Sequence, residues 1–290
     1  MSSPCCLTKT FRRFLPPCAA FLVALAILGD AEIQASPIVS TPTGTNFPGN
    51  DDGSAGPVAL GFSANYFGTT YSSAFVNNNG NVTFGTALST YTPFGLTSGG
   101  IPPIIAPFFA DVDTRAGGSG TVHYGTVTIP SGTDAGKSAF FVNWPNVGYY
   151  GVHDDKLNNF QLLLVDRSDT GAGNFDIIFN YGQIQWETGD ASGGSHGLGG
   201  ASAVAGFSNG SGISGTFFQL PGSGVNGAFL DGGSNQLITG TNDGVPGQFL
   251  FTVRNGAVEQ PTVPEPASIA LFGMLGLAGA IYRWRRSVKA

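Results

Sequence analysis

From residue 36 to about residue 256 a turn signal interrupts the chain every eight to twelve residues, and no stretch between the interruptions carries a convincing helical period. That spacing admits short strands joined by tight turns and little else. Asn79-Gly80, between Ser73–Asn78 and Asn81–Phe84, is the strongest hairpin signal, because both turn residues tolerate positive φ. Residues 121–129 are rich in β-branched side chains and read as a strand. Residues 160–165 and 174–181 read as a second hairpin around Ser168–Gly171. In its second arm Phe175, Ile177, Phe179 and Tyr181 share one face, while Asp176, Ile178 and Asn180 take the other. Further strands are expected at 138–144, 203–207, 216–220 and 248–253. Composition supports order: 45 glycines and 18 prolines are accompanied by 23 phenylalanines, and only 10% of residues are charged. Disordered chains have few aromatics and high charge. The expectation is an all-β, sandwich-like domain over 36–256.

Between residues 36 and 264 five basic residues face fifteen acidic ones, an excess of ten negative charges. A field of that sign repels phosphate backbones, which excludes nucleic acid as a natural partner and favours cations. All three cysteines (Cys5, Cys6 and Cys18) fall in the first 18 residues. A body without that segment has neither disulfides nor thiolate metal sites and must hold together by core burial.

The two ends differ from the body. Residues 1–35 read as a signal peptide: Lys9, Arg12 and Arg13 precede an apolar run from Ala19 to Leu28, and Ile33-Gln34-Ala35 offers a cleavage site to signal peptidase. At the other end, after a linker at 257–262, Pro264-Glu265-Pro266 precedes an apolar run from Ala267 to Tyr282, and Arg283, Arg285 and Arg286 follow at once. Sixteen apolar residues fall short of the ~20 of a comfortable span. Basic residues beside a span hold that end on the cytoplasmic side, so a short transmembrane helix anchoring an external domain is expected. The order of triplet, apolar run and arginine cluster over 263–290 resembles the PEP-CTERM sorting signal of Gram-negative bacteria. That resemblance implies recognition by a membrane-embedded exosortase, transient anchoring at the inner membrane, and release or re-anchoring at the cell surface.

A second resemblance lies in the body. The Asn-Gly hairpin, Ala106-Pro-Phe-Phe-Ala-Asp-Val-Asp-Thr-Arg115, Phe160-Gln161, Phe179-Asn-Tyr-Gly182, Ile184-Gln-Trp186, Ala205-Gly-Phe207 and Leu220-Pro-Gly-Ser-Gly224 occur in that order. Over 58–225 the chain is similar to the nidogen and tectorin extracellular (NIDO) domain. In animals this domain belongs to matrix and adhesion proteins, and its accompanying cysteine-rich modules are absent here.

Asp111 and Asp113 lie two apart, so on a strand both carboxylates would leave one face. With carbonyls of the Gly117–Gly120 turn they are candidate calcium ligands; the plainer reading pairs one of them with Arg115 or with local backbone amides. An EF-hand loop is excluded, since Arg115 and Ala116 stand where a ligand and a glycine are needed. Gly193-Gly-Ser195-His196-Gly197 satisfies G-x-S-x-G, yet no strand precedes it, no helix follows and no later histidine exists. Two G-x-G-x-x-G matches, at 210–215 and 222–227, fail for want of a flanking strand and helix. His123, His153 and His196 are scattered. Trp144 and Trp186, with Tyr149 and Tyr150, could stack against sugar rings or fill the core.

The sequence therefore points to an exported, non-enzymatic surface or matrix protein acting in adhesion within a biofilm matrix, with extracellular polysaccharide or other matrix components as partners and no cofactor beyond the calcium candidate. A lectin-like polysaccharide-binding module is the alternative. A secreted hydrolase ranks third, because no acid and base pair can be assembled.

Overall fold

A computed structural model describes residues 38–259. The expected signal helix, the short membrane helix and the sorting residues Pro264, Glu265, Pro266, Arg283, Arg285 and Arg286 lie outside the described residues. Within them, in chain order, the strands are β1 (Thr45–Phe47), β2 (Ser54–Tyr66), β3 (Thr69–Asn77), β4 (Asn81–Thr83), β5 (Ile104–Phe109), β6 (Val112–Asp113), β7 (Val122–Thr128), β8 (Ser138–Tyr149), β9 (His153–Asp166), β10 (Phe175–Gln183), β11 (Val204–Ser208), β12 (Phe217–Gln219), β13 (Gln248–Arg254) and β14 (Ala257–Val258). They form two antiparallel sheets. The larger runs β1-β7-β8-β9-β10-β13-β14, with β6 also paired to β8; the smaller runs β12-β11-β5-β4-β3-β2. Among the described residues no helix is long and apolar enough to cross a membrane.

The alternation expected for residues 175–181 is present, and it explains the layers. Phe175, Ile177, Phe179 and Tyr181 enter the main core with Val76, Val82, Phe108 and Phe207 of the smaller sheet. Ile178 points the other way and joins Phe141, Leu163 and Val165 in a second cluster on the outer face of the larger sheet. Each fully buried phenylalanine contributes roughly 1.5–3 kcal/mol, the term that replaces the missing disulfides. The polar positions of the same outer face form an amide ladder across four strands. Gln161 Nε2 donates to Asn143 Oδ1 at 2.8 Å, Asn180 Nδ2 to Gln161 Oε1 at 2.9 Å, and Gln248 Nε2 to Asn180 Oδ1 at 2.7 Å. Each amide thus finds the partner that burial demands.

Residues 104–109 read poorly as a strand because every one is buried. Phe108 and Ile105 face the main core, whereas Ile104, Ala106 and Phe109 meet Leu96, Phe94 and Leu88 from the long β4–β5 connection. A strand covered on both faces loses alternation. Pro107 lacks an N–H to give the ladder, and the β5–β11 register shifts beside it, between Val204–Phe109 and Gly206–Ala106. The hairpin at Asn79-Gly80 also departs from expectation. Asn77 pairs with Asn81, so the loop has three residues, and only Gly80 takes a positive φ, 72°. Three-residue loops need one left-handed position, and glycine fills it. A Cβ at residue 80 would sit 1.7 Å from the Phe108 carbonyl oxygen.

Candidate functional site

Three short polar segments, distant in sequence, meet at one corner of the sandwich. The first is the turn Asn50-Asp51-Asp52-Gly53, closed by Gly53 N donating to Asn50 Oδ1 at 2.9 Å. The second is the β3–β4 loop, in which Asn78 and Asn79 are fully buried. The third is Asp111–Arg115, around β6. Thr114 ties the first to the third: its Oγ1 donates to Asn50 O and accepts from Asn50 N, both at 2.9 Å. Asn78 Nδ2 donates to Asp51 O at 2.5 Å and to Val112 O at 2.6 Å. Asn79 accepts from Val112 N at 2.9 Å and donates to Asp52 Oδ1 at 2.8 Å. From the core side, Trp144 Nε1 donates to Asn78 O at 3.0 Å.

This lattice of amides holds carboxylates close together. One carboxylate oxygen from each of Asp51, Asp52 and Asp111 lies within 4.8 Å of the others. Asp111 is 1% exposed. Burial, then the charges of Asp51 and Asp52, push its pKa up to about 7. Burial, then Asp52 and Asp113, raise Asp51 to about 6. Asp113 shows the opposite outcome. Burial opposes its charge, but Arg115 binds it through Nε at 2.8 Å and Nη2 at 2.6 Å, and the backbone amides of Arg115 and Val152 donate at 3.0 Å. Together these hold it below the ordinary aspartate range.

The two aspartates expected to share an ion are therefore divided. Asp113 takes the plainer role and is spent on Arg115, while Asp111 joins Asp51 and Asp52. The glycine turn at 117–120 is drawn elsewhere, with Gly118 N donating to Asp154 Oδ2 at 2.8 Å.

Beside the corner runs an open cleft of about 470 Å³, lined by Tyr149, His153, Asp154, Asp155, Asp190 and His196 among others. Its wall is the β8–β9 turn, where Tyr150 N donates to Asp111 O at 3.0 Å. His153 Nε2 meets Asp190 Oδ2 at 2.9 Å, and Tyr149 hydroxyl donates to Asp155 Oδ1 at 2.8 Å. The loop from 187 onward forms the floor. Gly189 passes so near Asp111 that a Cβ there would stand 2.6 Å from Oδ2, and Ser192 Oγ reaches the same oxygen at 3.4 Å. The Ser195 hydroxyl meets Nδ1 of the adjacent His196 at 3.0 Å, the Ser195 backbone pairs with Leu198, and a 3₁₀ turn at Asp190–Ser192 precedes it in place of a strand. The G-x-S-x-G match thus lacks its nucleophile geometry.

Of the four aromatics weighed between sugar stacking and the core, Trp144, Trp186 and Tyr149 take the core, while Tyr150 is half-buried. Trp144 and Trp186 are 0% exposed and Tyr149 is 1% exposed. Trp144 stacks on Phe160 at 5.0 Å, and Trp186 meets Phe108 edge-on at 5.7 Å. Both indoles face the core because their N–H groups find buried carbonyls there, those of Asn78 and Val147.

Sequence spacing missed Asp51 and Asp52. The available signal was two successive carboxylates inside an Asn-x-x-Gly turn, but nothing linear sets residue 51 against residue 111.

The body matches the model of the nidogen-like domain over residues 72–255. The chain belongs to that family. A PEP-CTERM protein-sorting motif matches residues 262–286. Alpha-tectorin from Gallus gallus is 33% identical over 297 aligned positions, covering 95% of this chain and 13% of that protein. Alpha-tectorin from Homo sapiens is 36% identical over 233 positions, 72% of this chain and 10% of that protein. Nidogen from Drosophila melanogaster is 30% identical over 209 positions, 65% of this chain and 14% of that protein. This nidogen-like chain therefore spans a small fraction of its curated relatives' length. No solved structure matches it. A nidogen-like domain joined to a sorting motif makes this an exported protein of the cell surface or extracellular space.

Proposed function

We propose that the chain acts in adhesion at the surface of a Gram-negative cell or in its biofilm matrix, as a structural component without catalytic activity. The observation that supports this is the pairing, in one polypeptide, of a nidogen-like domain with a PEP-CTERM motif. On this reading signal peptidase removes residues 1–35, the body from 36 to 256 folds outside, and an exosortase processes the segment from 263 onward. Pro264, Glu265 and Pro266 are its recognition triplet. Arg283, Arg285 and Arg286 hold the tail at the cytoplasmic face until processing, with transient anchoring through the apolar run. Extracellular polysaccharide or another matrix component is the partner.

Lectin-like contact through Trp144 and Trp186 loses its support, since neither side chain reaches the surface. Polysaccharide binding would instead use the polar cleft beside His153. The deciding experiment replaces Pro264, Glu265 and Pro266 by alanine and deletes the gene in parallel. Membrane retention of the unprocessed chain is expected from the first, and weakened attachment or aggregation from the second. Normal processing of the alanine variant sinks the sorting assignment, and an unchanged biofilm sinks the adhesive one.

A further inference from the structure

We infer that Asp51, Asp52 and Asp111 bind a hard divalent cation, calcium by its chemistry, which fastens the Asn50–Gly53 turn to the segment joining β5 and β6. The inference is independent of the adhesive role.

Four carboxylates crowd this corner: Asp51, Asp52, Asp111 and Asp113. One guanidinium, Arg115, serves them, contacting Asp113 at 2.6 Å and Asp51 at 3.2 Å. Three negative charges are left over. Two of the oxygens involved are buried and accept no hydrogen bond: Asp111 Oδ1 and Asp51 Oδ1. An orphaned carboxylate oxygen in a residue 99% removed from solvent is costly unless something positive meets it. Asp111 belongs to the cluster whose oxygens lie within 4.8 Å of one another, and oxygens bound at about 2.4 Å to a single calcium span that distance. Every donor in the group is oxygen, with neither thiolate nor imidazole, which favours calcium, magnesium or manganese over zinc.

The surroundings are built to hold these carboxylates in place. Asn79 fixes Asp52 through Oδ1, Asn78 fixes the Asp51 carbonyl, and Gly189 lies flat over Asp111 where any side chain would collide. Such supporting contacts are what a metal site needs and what mutual repulsion alone would undo. The raised pKa values of Asp111 and Asp51 agree with the same excess of charge.

The test uses the full chain, purified in mild detergent and stripped with EDTA. Titration with calcium is expected to release or absorb heat at one site per chain and to raise the melting temperature. Terbium should luminesce on tryptophan excitation, since Trp144 is hydrogen-bonded to the loop that carries Asn79, and calcium should quench that signal by displacement. Asp52→Asn and Asp111→Asn should abolish these responses, whereas Asp154→Asn, an exposed carboxylate of the neighbouring cleft, should keep them. Because Asp111→Asn relieves repulsion, that variant stays folded without metal. No heat and no thermal response to calcium overturns the inference. So does a response that survives both Asp52→Asn and Asp111→Asn, or one confined to magnesium.

Discussion

Asp111 and Asp176 are both about 1% exposed, one near the start of β9 and the other near its end, and the fold treats them in opposite ways. Asp176 sits between two guanidiniums, with Arg167 Nη1 at 2.5 Å from Oδ2 and Arg254 Nη1 at 2.6 Å from Oδ1. Asp111 sits among Asp51, Asp52 and Asp113, and the single nearby guanidinium is turned toward two of those neighbours. A buried charge costs several kcal/mol unless it is paired. At one end this chain supplies two arginines from its five internal basic residues. At the other it supplies three further carboxylates and two buried asparagines that orient them. The contrast separates a charge used to hold strands together from a charge held open for something else.

Removing Asp176 should have the largest effect. Asp176→Ala removes the nearest counter-charge of both Arg167 and Arg254, leaving Arg167 with Asp169 at 3.3 Å and Asp134 at 3.8 Å, and a loss of about 3–5 kcal/mol in urea unfolding is expected. A loss near zero would make the two ends equivalent and break the comparison.

The pH dependence of the metal-free protein comes next. The folded pKa of Asp111, about 7, and of Asp51, about 6, stand above the unfolded aspartate value of 3.8. Across that window the folded state binds more protons than the unfolded one, so stability falls as pH rises from about 4 to 7. Asp113 works the other way, since its folded pKa is lowered, and its contribution fades only as the solution becomes more acidic. In EDTA the melting temperature should therefore peak on the acidic side and decline toward neutrality, and calcium should flatten the decline. Constant stability from pH 5 to 7.5 would show that the corner carries no excess charge.

Smaller again is the gain expected from Asp111→Asn in EDTA at neutral pH. It should stabilise by the order of 1 kcal/mol, roughly 2–4 °C in melting temperature for a domain of this size. A drop of similar size would mean that Asp111 is structural, like Asp176. Last, Lys137 and Asp169 meet at 2.6 Å at the Asp176 end, but both are substantially exposed. Lys137→Ala should leave the thermal midpoint within error, because solvent screens such pairs. A clear loss there would show that proximity to the Asp176 network, not burial, sets the value of a pair.

How much of this was legible in the linear chain varies by residue. The face assignment of Phe175 to Tyr181 needed only the period of a strand, and the hairpin at 160–181 followed from it. Residues 54–66 and 104–109 were harder, because burial on both faces, or irregular register, erases alternation: the β2–β3 pairing shifts twice, and β5 carries Pro107 at a bulge. The tryptophans were visible as large aromatics, but their direction depended on which buried carbonyls lay within reach of each indole. Asp113 beside Arg115 was readable at short range. Asp111 beside Asp51 was not, since sixty positions and the four strands β2 to β5 separate them.

The chain alone determined that the body is all-β, that it is stabilised without sulfur, and that a sorting motif follows it over residues 262–286. Those properties follow from local periodicity, composition and contiguous motifs, which neighbouring residues set between themselves. Tertiary structure alone decided which carboxylates are neutralised and which are crowded. Electrostatic energy depends on distance through space and on burial, and both are fixed only when the turn at Asn50–Gly53, the loop at Asn78–Gly80 and the segment at Asp111–Arg115 are folded onto one another.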